Sequence, residues 1–135
     1  MIQILQNLSN GVISLADIPA PSITKGKVLI NTRYSLISKG TEQMLLEFGK
    51  ANYLDKARQQ PDKVKMVLDK VKTDGLLPTI DAVRSKLDQP LPLGYCNAGV
   101  VLESVVEGYS VGDRVVSNGN HAEVARVAEN LCAKI

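Results

Sequence analysis

The sequence predicts an α+β fold that is mainly β, with strands at both ends of the chain and helices in the middle. Strand-forming segments rich in Val and Ile occur before residue 40 and again after residue 96, and residues 42–88 carry apolar side chains at helical spacing. The chain has 135 residues, 44% of them hydrophobic, which suits one domain with one core.

Two strands are predicted to open the chain, over residues 2–8 and 12–18. Asn10-Gly11 lies between them and can adopt the positive φ angles of a tight hairpin turn. After Lys25-Gly26, the segment "KVLINTRYSLIS" predicts a long, half-buried antiparallel strand. The alternating pattern places five side chains on one face of this strand, namely Val28, Ile30, Thr32, Tyr34 and Leu36.

Three helices are predicted to fill residues 42–88, because apolar residues recur there three or four positions apart. Pro61 suits a first helical turn, Gly75 suits a C-terminal cap, and Gly49 weakens the first helix. The lysines of residues 63–72 alternate with aspartates, which is typical of a solvated helix face rather than an anion site.

The last third of the chain returns to strand-forming segments. They read "NAGVVLESVV", "DRVVSN" and "HAEVARVA", and the turn-forming stretches "VEGYSVGD" and "NGN" separate them. Together with the N-terminal strands, these segments can close as a small barrel.

Composition limits the possible partners and compartments. A net charge of +2 with one Phe and no Trp argues against nucleic-acid binding. No Lys or Arg precedes Lys25 and no apolar run approaches the ~20 residues of a membrane span, so we expect a cytoplasmic protein without a signal peptide or membrane anchor. Two cysteines, Cys96 and Cys132, fit a reducing compartment.

Several short motifs occur in an order that resembles a known family. "LPLGYCNAGVVLESV" followed by "VGDRVVSNGNHAEVARVAENLCAKI" resembles the N-terminal GroES-like catalytic domain of the medium-chain dehydrogenase/reductase superfamily, the zinc-type alcohol dehydrogenase relatives. The segment "SLISKGTEQMLLEFGKANYLDKARQQPDKVK" is similar to a bacterial branch associated with surface-polysaccharide genes. The resemblance covers both ends of the chain but not its helical middle.

The resemblance implies that residues 1–135 form a GroES-like small barrel with a helical insertion at about residues 42–88. Such a domain is the substrate side of an NAD(P)-dependent oxidoreductase, here for a sugar or sugar-nucleotide alcohol or carbonyl. None of the ten glycines has the G-x-G spacing of a dinucleotide fingerprint. We therefore expect the Rossmann domain to lie outside this chain, and the chain alone to bind no NAD(P) and be inactive. Its expected partners are the substrate, that Rossmann domain and a second copy of itself.

The positions that match the family's zinc site hold Ser38, Tyr95 and Cys96. The first two are not the family's ligands, so the resemblance implies an enzyme that works without zinc. A Cys₂His set of Cys96, His121 and Cys132 lacks the short spacings of metal motifs. The favoured alternative is that both cysteines are small buried apolar residues.

Three residues are candidates for catalysis. Thr41 matches the family's hydroxyl that relays the substrate's proton, and the alternative is a helix N-cap followed by Glu42 in the first turn. Tyr95 could donate a hydrogen bond to a substrate carbonyl, and the alternative is a tyrosine that fills space at the barrel rim. His121 is placed near the cleft by the resemblance, and the alternative is a solvated loop histidine. The residues assigned to the substrate cleft are Ser38, Glu42 and Cys96.

The sequence also allows a second function, that of a non-enzymatic GroES-like barrel which acts as an oligomeric binding module. That function predicts a continuous β-domain with a mobile, glycine-rich loop. Residues 42–88 are helical in pattern instead, so the sequence favours the oxidoreductase domain.

Overall fold

The computed structural model describes residues 1–135 and shows an α+β fold, which confirms the predicted class. Helices hold 36% of the residues and strands 31%, so the expectation that strands predominate is wrong. The elements in chain order are β1 (Ile2–Gln6), β2 (Ile13–Asp17), β3 (Lys27–Ser35), α1 (Lys39–Lys50), α2 (Tyr53–Gln59), α3 (Pro61–Asp74), α4 (Leu76–Asp88), β4 (Leu91–Pro92), β5 (Asn97–Ser104), β6 (Arg114–Ser117), β7 (Val124–Ala128), a 3₁₀ turn (Glu129–Leu131) and β8 (Cys132–Lys134).

The strands form two antiparallel sheets, with orders β2-β1-β4 and β7-β3-β5-β6-β8. The predicted closed barrel is not seen, because β7 and β8 remain the edges of the five-stranded sheet and do not pair with each other. The short strands β4 and β8, of two and three residues, were not predicted, since neither is long enough to show an alternating pattern.

The chain divides into two compact units. The β unit comprises Met1–Leu5, Ser14–Glu42 and Pro92–Ile135, and the helical unit comprises Gln6–Ile13 and Gln43–Leu91. Helix α1 begins in the first unit and ends in the second. The core of the β unit consists of small and β-branched side chains that pack across the five-stranded sheet, namely Val28, Ile30, Val101, Val115, Ala125 and Val127.

Strand β3 lies between β7 and β5 in the larger sheet and pairs antiparallel with both, which confirms the predicted antiparallel strand. Strict alternation fails along it, because Val28, Leu29 and Ile30 are all buried while Tyr34 is 78% exposed. Register shifts against β5 occur between Leu29 and Ile30 and again between Thr32 and Tyr34. Such irregularities change which face a side chain occupies, so one alternating pattern cannot hold over the whole strand.

Strands β1 and β2 are neighbours, which confirms the opening pair, but they are not joined by a two-residue turn. The Asn7 side-chain oxygen accepts hydrogen bonds from the backbone N–H groups of Ser9 and Asn10, at 2.8 and 3.2 Å. Gly11 has the expected positive φ, at 74°. The Asn7 side chain thus stabilises a wider loop than the Asn10-Gly11 pattern indicated.

The helical unit contains four helices rather than three. Asn52 caps α2 by accepting the Asp55 backbone N–H at 2.9 Å, so a separate short helix begins there that was not predicted. Pro61 at the start of α3 and Gly75 at its end, with φ 90°, confirm the predicted boundaries. No residue of α3 is buried, and no helix of the structure is long and apolar enough to cross a membrane.

Lys56 is a buried cation within the helical unit, only 6% exposed. Its Nζ donates to three backbone carbonyl oxygens, those of Ser9 at 3.1 Å, Gly49 at 2.9 Å and Ala51 at 2.6 Å. Burial lowers the pKa of this amine below its ordinary value. Because an ammonium group has three donors, the three carbonyls satisfy it completely.

Candidate functional site

Three segments of the β unit meet around the start of α1, and together they hold all six residues singled out from the sequence. These segments are residues 38–42, 93–97 and 117–121, and the first contains the start of α1. The Glu42 backbone N–H donates to the Ser38 carbonyl oxygen at 3.0 Å, and the Glu42 carboxylate accepts the Ser38 backbone N–H at 3.1 Å. A carboxylate in the first turn also faces the positive end of the helix dipole. Glu42 therefore holds the first turn of α1 closed.

His121 and Glu42 form a buried hydrogen-bonded pair. The His121 Nε2 lies 3.1 Å from Glu42 Oε1, and the two residues are only 6% and 9% exposed. Because the same Oε1 accepts the Ser38 backbone N–H, we assign the imidazole Nε2–H as the donor. The other ring nitrogen, Nδ1, is buried without a hydrogen-bond partner. His121 is therefore not the solvated loop histidine that the sequence left open.

The position of the His121 ring is set by its backbone and by a glycine. The His121 N–H donates to the Leu93 carbonyl at 2.8 Å, and its carbonyl accepts the Ile4 N–H at 2.9 Å. Gly94 has a positive φ of 86°, and a Cβ there would come within 2.6 Å of His121 Cγ. The ring thus packs directly against the Gly94 backbone, which only glycine permits.

Buried polar side chains hold the loop of residues 117–121 beside residues 93–97. Asn97, which is 1% exposed, donates to Thr32 Oγ1 at 2.9 Å and accepts from the Ser117 hydroxyl at 2.5 Å. The Asn120 side chain donates to the Gly94 carbonyl oxygen at 3.0 Å. These hydrogen bonds hold the loop against the segment that follows Gly94.

Tyr95 and Thr41 lie at the surface of this site. The Tyr95 hydroxyl is 3.5 Å from Thr41 Oγ1, and Tyr95 is 44% exposed. This separation is long for a hydroxyl pair, so the contact is weak and both groups can bind a further polar atom. Helix α1 begins at Lys39, so Thr41 lies within its first turn. The alternative of Thr41 as the N-cap is therefore wrong.

Cys96 and Ser38 take less direct positions. Cys96 is partly exposed and lines a shallow groove of about 210 Å³ with Tyr34, Leu36 and Val116. Ser38 contributes its backbone groups to the Glu42 contacts. A larger groove of about 410 Å³ runs beside β7 and is lined by none of the six residues.

The residues do not fit a zinc ion. No three His, Cys, Asp or Glu side chains lie close enough together to hold a metal. Ser38 and Tyr95 offer hydroxyl oxygens where zinc prefers thiolate or imidazole ligands. Cys132 is partly exposed in β8, and burial of its thiol raises its pKa, which disfavours the thiolate that a metal would bind. Neither cysteine is fully buried, contrary to the favoured expectation.

The sequence did not reveal the Glu42–His121 pair, nor the role of Gly94 and Asn97 in holding it. Glu42 and His121 are 79 positions apart, and no local pattern connects them. The sequence offered only indirect signals. Glu42 directly follows the catalytic candidate Thr41, and His121 was a candidate on the ground of the family resemblance.

Neither a protein-family model nor a curated protein matches this sequence. Solved structures do match its fold. A quinone oxidoreductase from Coxiella burnetii is 20% identical with a TM-score of 0.58, over 99% of this chain and 36% of its own. Galactitol-1-phosphate dehydrogenase from Escherichia coli is 13% identical with a TM-score of 0.63, over 100% of this chain and 38% of its own.

A mycobacterial protein solved in complex with NADPH is also similar, at 22% identity and a TM-score of 0.54, over 100% of this chain and 32% of its own. The structural neighbours are medium-chain dehydrogenase/reductase oxidoreductases. The likeness shows the fold that this chain shares with them, and the chain spans about a third of their length.

Proposed function

We propose that residues 1–135 are the GroES-like, substrate-side catalytic domain of an NAD(P)-dependent oxidoreductase that works without zinc. The shared fold with part of several oxidoreductases supports the class. The observation that carries the proposal is the pair of exposed hydroxyls, Tyr95 and Thr41, whose oxygens are 3.5 Å apart. Ser38 and Tyr95 have hydroxyl side chains where zinc prefers thiolate or imidazole ligands, which supports a site that binds its substrate through hydroxyls rather than through a metal.

The two hydroxyls would bind the reacting oxygen of the substrate. In carbonyl reduction that oxygen gains negative charge as hydride reaches the carbon, and a donor aimed at it lowers the barrier. Tyr95 would donate a hydrogen bond to the oxygen. Thr41, which is exposed, would donate beside it and pass its proton to the alkoxide while taking one from solvent water, which completes the alcohol. The nicotinamide would supply or accept the hydride. This chain has no G-x-G spacing for its pyrophosphate, so we place that cofactor on a Rossmann domain outside residues 1–135.

The substrate that we propose is a sugar or sugar-nucleotide alcohol or carbonyl. The similarity of residues 35–65 to the polysaccharide-associated branch supports this choice, and a dehydrogenase of a phosphorylated sugar alcohol is among the fold neighbours. The binding-module alternative predicts a mobile, glycine-rich loop. Residues 39–88 hold four helices instead of such a loop, which favours the enzyme domain.

The test is an assay of the longest natural protein that contains this sequence. Oxidation of NADH and NADPH would be followed with sugar aldehydes, ketosugars and quinones in parallel. Tyr95→Phe and Thr41→Val should each lower kcat/KM by about 100-fold, since each removes one donor and little volume. Tyr53→Phe, which removes the hydroxyl of another exposed tyrosine in the helical unit, should have no effect. Full activity in both site variants would contradict the proposal.

A further inference from the structure

We propose that Glu42 and His121 are positioning residues, which together set the distance between the Thr41 and Tyr95 hydroxyls. The inference rests on the proposed function only in the role that it gives those two hydroxyls. It replaces the expectation that His121 itself acts on the substrate.

Burial separates the pair from any substrate. The His121 side chain is 5% exposed and that of Glu42 is 11%, whereas Tyr95 is 44% exposed and Thr41 is exposed too. A group that exchanges protons with a bound substrate must lie within hydrogen-bond reach of it. The buried pair therefore acts from beneath the surface on which the hydroxyls lie.

Each residue of the pair adjoins the backbone that carries one of the two hydroxyls. Glu42 follows Thr41 directly in the first turn of α1. The ring of His121 packs against Gly94, which directly precedes Tyr95. One hydrogen bond of 3.1 Å, from His121 Nε2 to Glu42 Oε1, thus connects the backbone that carries one hydroxyl to the backbone that carries the other.

Each end of this connection is itself fixed. Glu42 Oε1 also accepts the Ser38 N–H, which holds the first turn of the helix. The His121 backbone donates to Leu93 and accepts from Ile4. Because His121 Nδ1 has no partner, the ring has one orienting hydrogen bond, and that bond goes to Glu42. Loss of the carboxylate would leave the ring and the first turn of α1 unconnected.

Two spectroscopic readouts on the 135-residue chain test this inference without any activity assay. His121 is the single histidine, so the ¹⁵N shifts of its ring report the tautomer without ambiguity. A nuclear Overhauser contact between the Tyr95 ring and the Thr41 methyl reports the hydroxyl pair. The wild-type chain should show the Nε2–H tautomer and the Tyr95–Thr41 contact.

Three variants separate positioning from general stability. Glu42→Ala should lose the Tyr95–Thr41 contact and the single Nε2–H tautomer. Glu42→Gln should keep both, because its amide oxygen can accept the same two hydrogen bonds at the same place. Glu47→Ala is the matched control, since Glu47 is an exposed carboxylate of the same helix that accepts only from Gln43, and it should keep both signals.

A folded Glu42→Ala chain that keeps the contact would overturn the inference. If Glu42→Ala does not fold, Glu42→Gln decides alone, and loss of the contact in a folded Glu42→Gln chain would overturn it equally. Inactivity of the natural protein towards every carbonyl tested would count against the proposed function and leave these signals unchanged, so the two failures are distinguishable.

Discussion

The Gly94 backbone and the His121 imidazole are in direct contact. A Cβ on Gly94 would lie 2.6 Å from His121 Cγ and 2.7 Å from Nδ1, far closer than packed carbon and nitrogen atoms allow. Gly94 also has a φ of 86°, which side-chain-bearing residues rarely adopt. Two separate physical demands therefore require glycine here, one from the backbone and one from the ring.

Gly94→Ala should lower the free energy of unfolding by about 3 kcal/mol, with roughly 1 kcal/mol from the left-handed backbone and the rest from the collision. Gly108→Ala is the matched control, because Gly108 has a φ of 89° and no other atom within 4 Å of the place that a Cβ would occupy. It should show the backbone cost alone. Urea denaturation of both variants gives the comparison. Equal losses of unfolding free energy would mean that the His121 ring moves away from the new methyl group at no measurable cost.

Tyr95→Phe should leave the free energy of unfolding within about 0.5 kcal/mol of the wild type. The ring stays, and the hydroxyl that it loses is at the surface with one long contact, 3.5 Å to Thr41 Oγ1. Thermal and urea unfolding check this expectation. A much larger loss would show that the hydroxyl supports the fold, and the activity test of this variant would then need reinterpretation.

Lys56→Met should destabilise the chain by about 3 kcal/mol. The substitution keeps most of the buried chain length but leaves the Ser9, Gly49 and Ala51 carbonyl oxygens without the ammonium donor. Lys63→Met, at an exposed position of α3, should change the stability by less than about 0.5 kcal/mol. Equal effects of the two substitutions in chemical denaturation would show that the carbonyls find other donors.

Asp113 should make the stability of the chain depend on pH in the acid range. Its hydrogen bond with the Lys134 ammonium, at 2.6 Å, and the Ser110 N–H hold the pKa of the carboxyl below its ordinary value of 3.8. Because the folded-state pKa is the lower one, the contribution is complete above the ordinary value and is lost as pH falls through the folded-state pKa.

Asp113→Asn should therefore lose stability relative to the wild type at pH 6 and approach it at pH 2. Urea midpoints measured from pH 2 to pH 7 provide the comparison. Asp81→Asn, at an exposed position of α4, should change the stability at pH 6 by less than about 0.5 kcal/mol. A constant difference between Asp113→Asn and the wild type would assign the effect to something other than ionisation.

The order of the secondary-structure elements could be predicted from the sequence because it depends on neighbours along the chain. Alternating apolar residues indicated β3, and a run of strand-forming residues between turns indicated β5. Pro61 and Gly75 marked the two ends of α3, and Glu42 was correctly placed in a first helical turn. Each of these signals acts over a few residues, within the reach of one turn or one strand.

Local signals also failed where burial depends on what packs against an element. The helical spacing of Val64, Leu68 and Val71 predicted a buried face, yet Leu68 is 57% exposed and no residue of α3 is buried. Likewise, the pattern of β3 could not show the register shifts beside Leu29 and Thr32, since a bulge is defined by the partner strand.

The sequence by itself determined the element types, most of their boundaries and the residue chemistry available to a site, since propensity, capping and turn formation are local. Only the tertiary structure decided that Glu42 meets His121 across 79 positions and that the Tyr95 and Thr41 hydroxyls approach to 3.5 Å across 54. The physical reason is that these distances depend on the pairing of whole strands and on a backbone contact at Gly94, which no segment specifies alone.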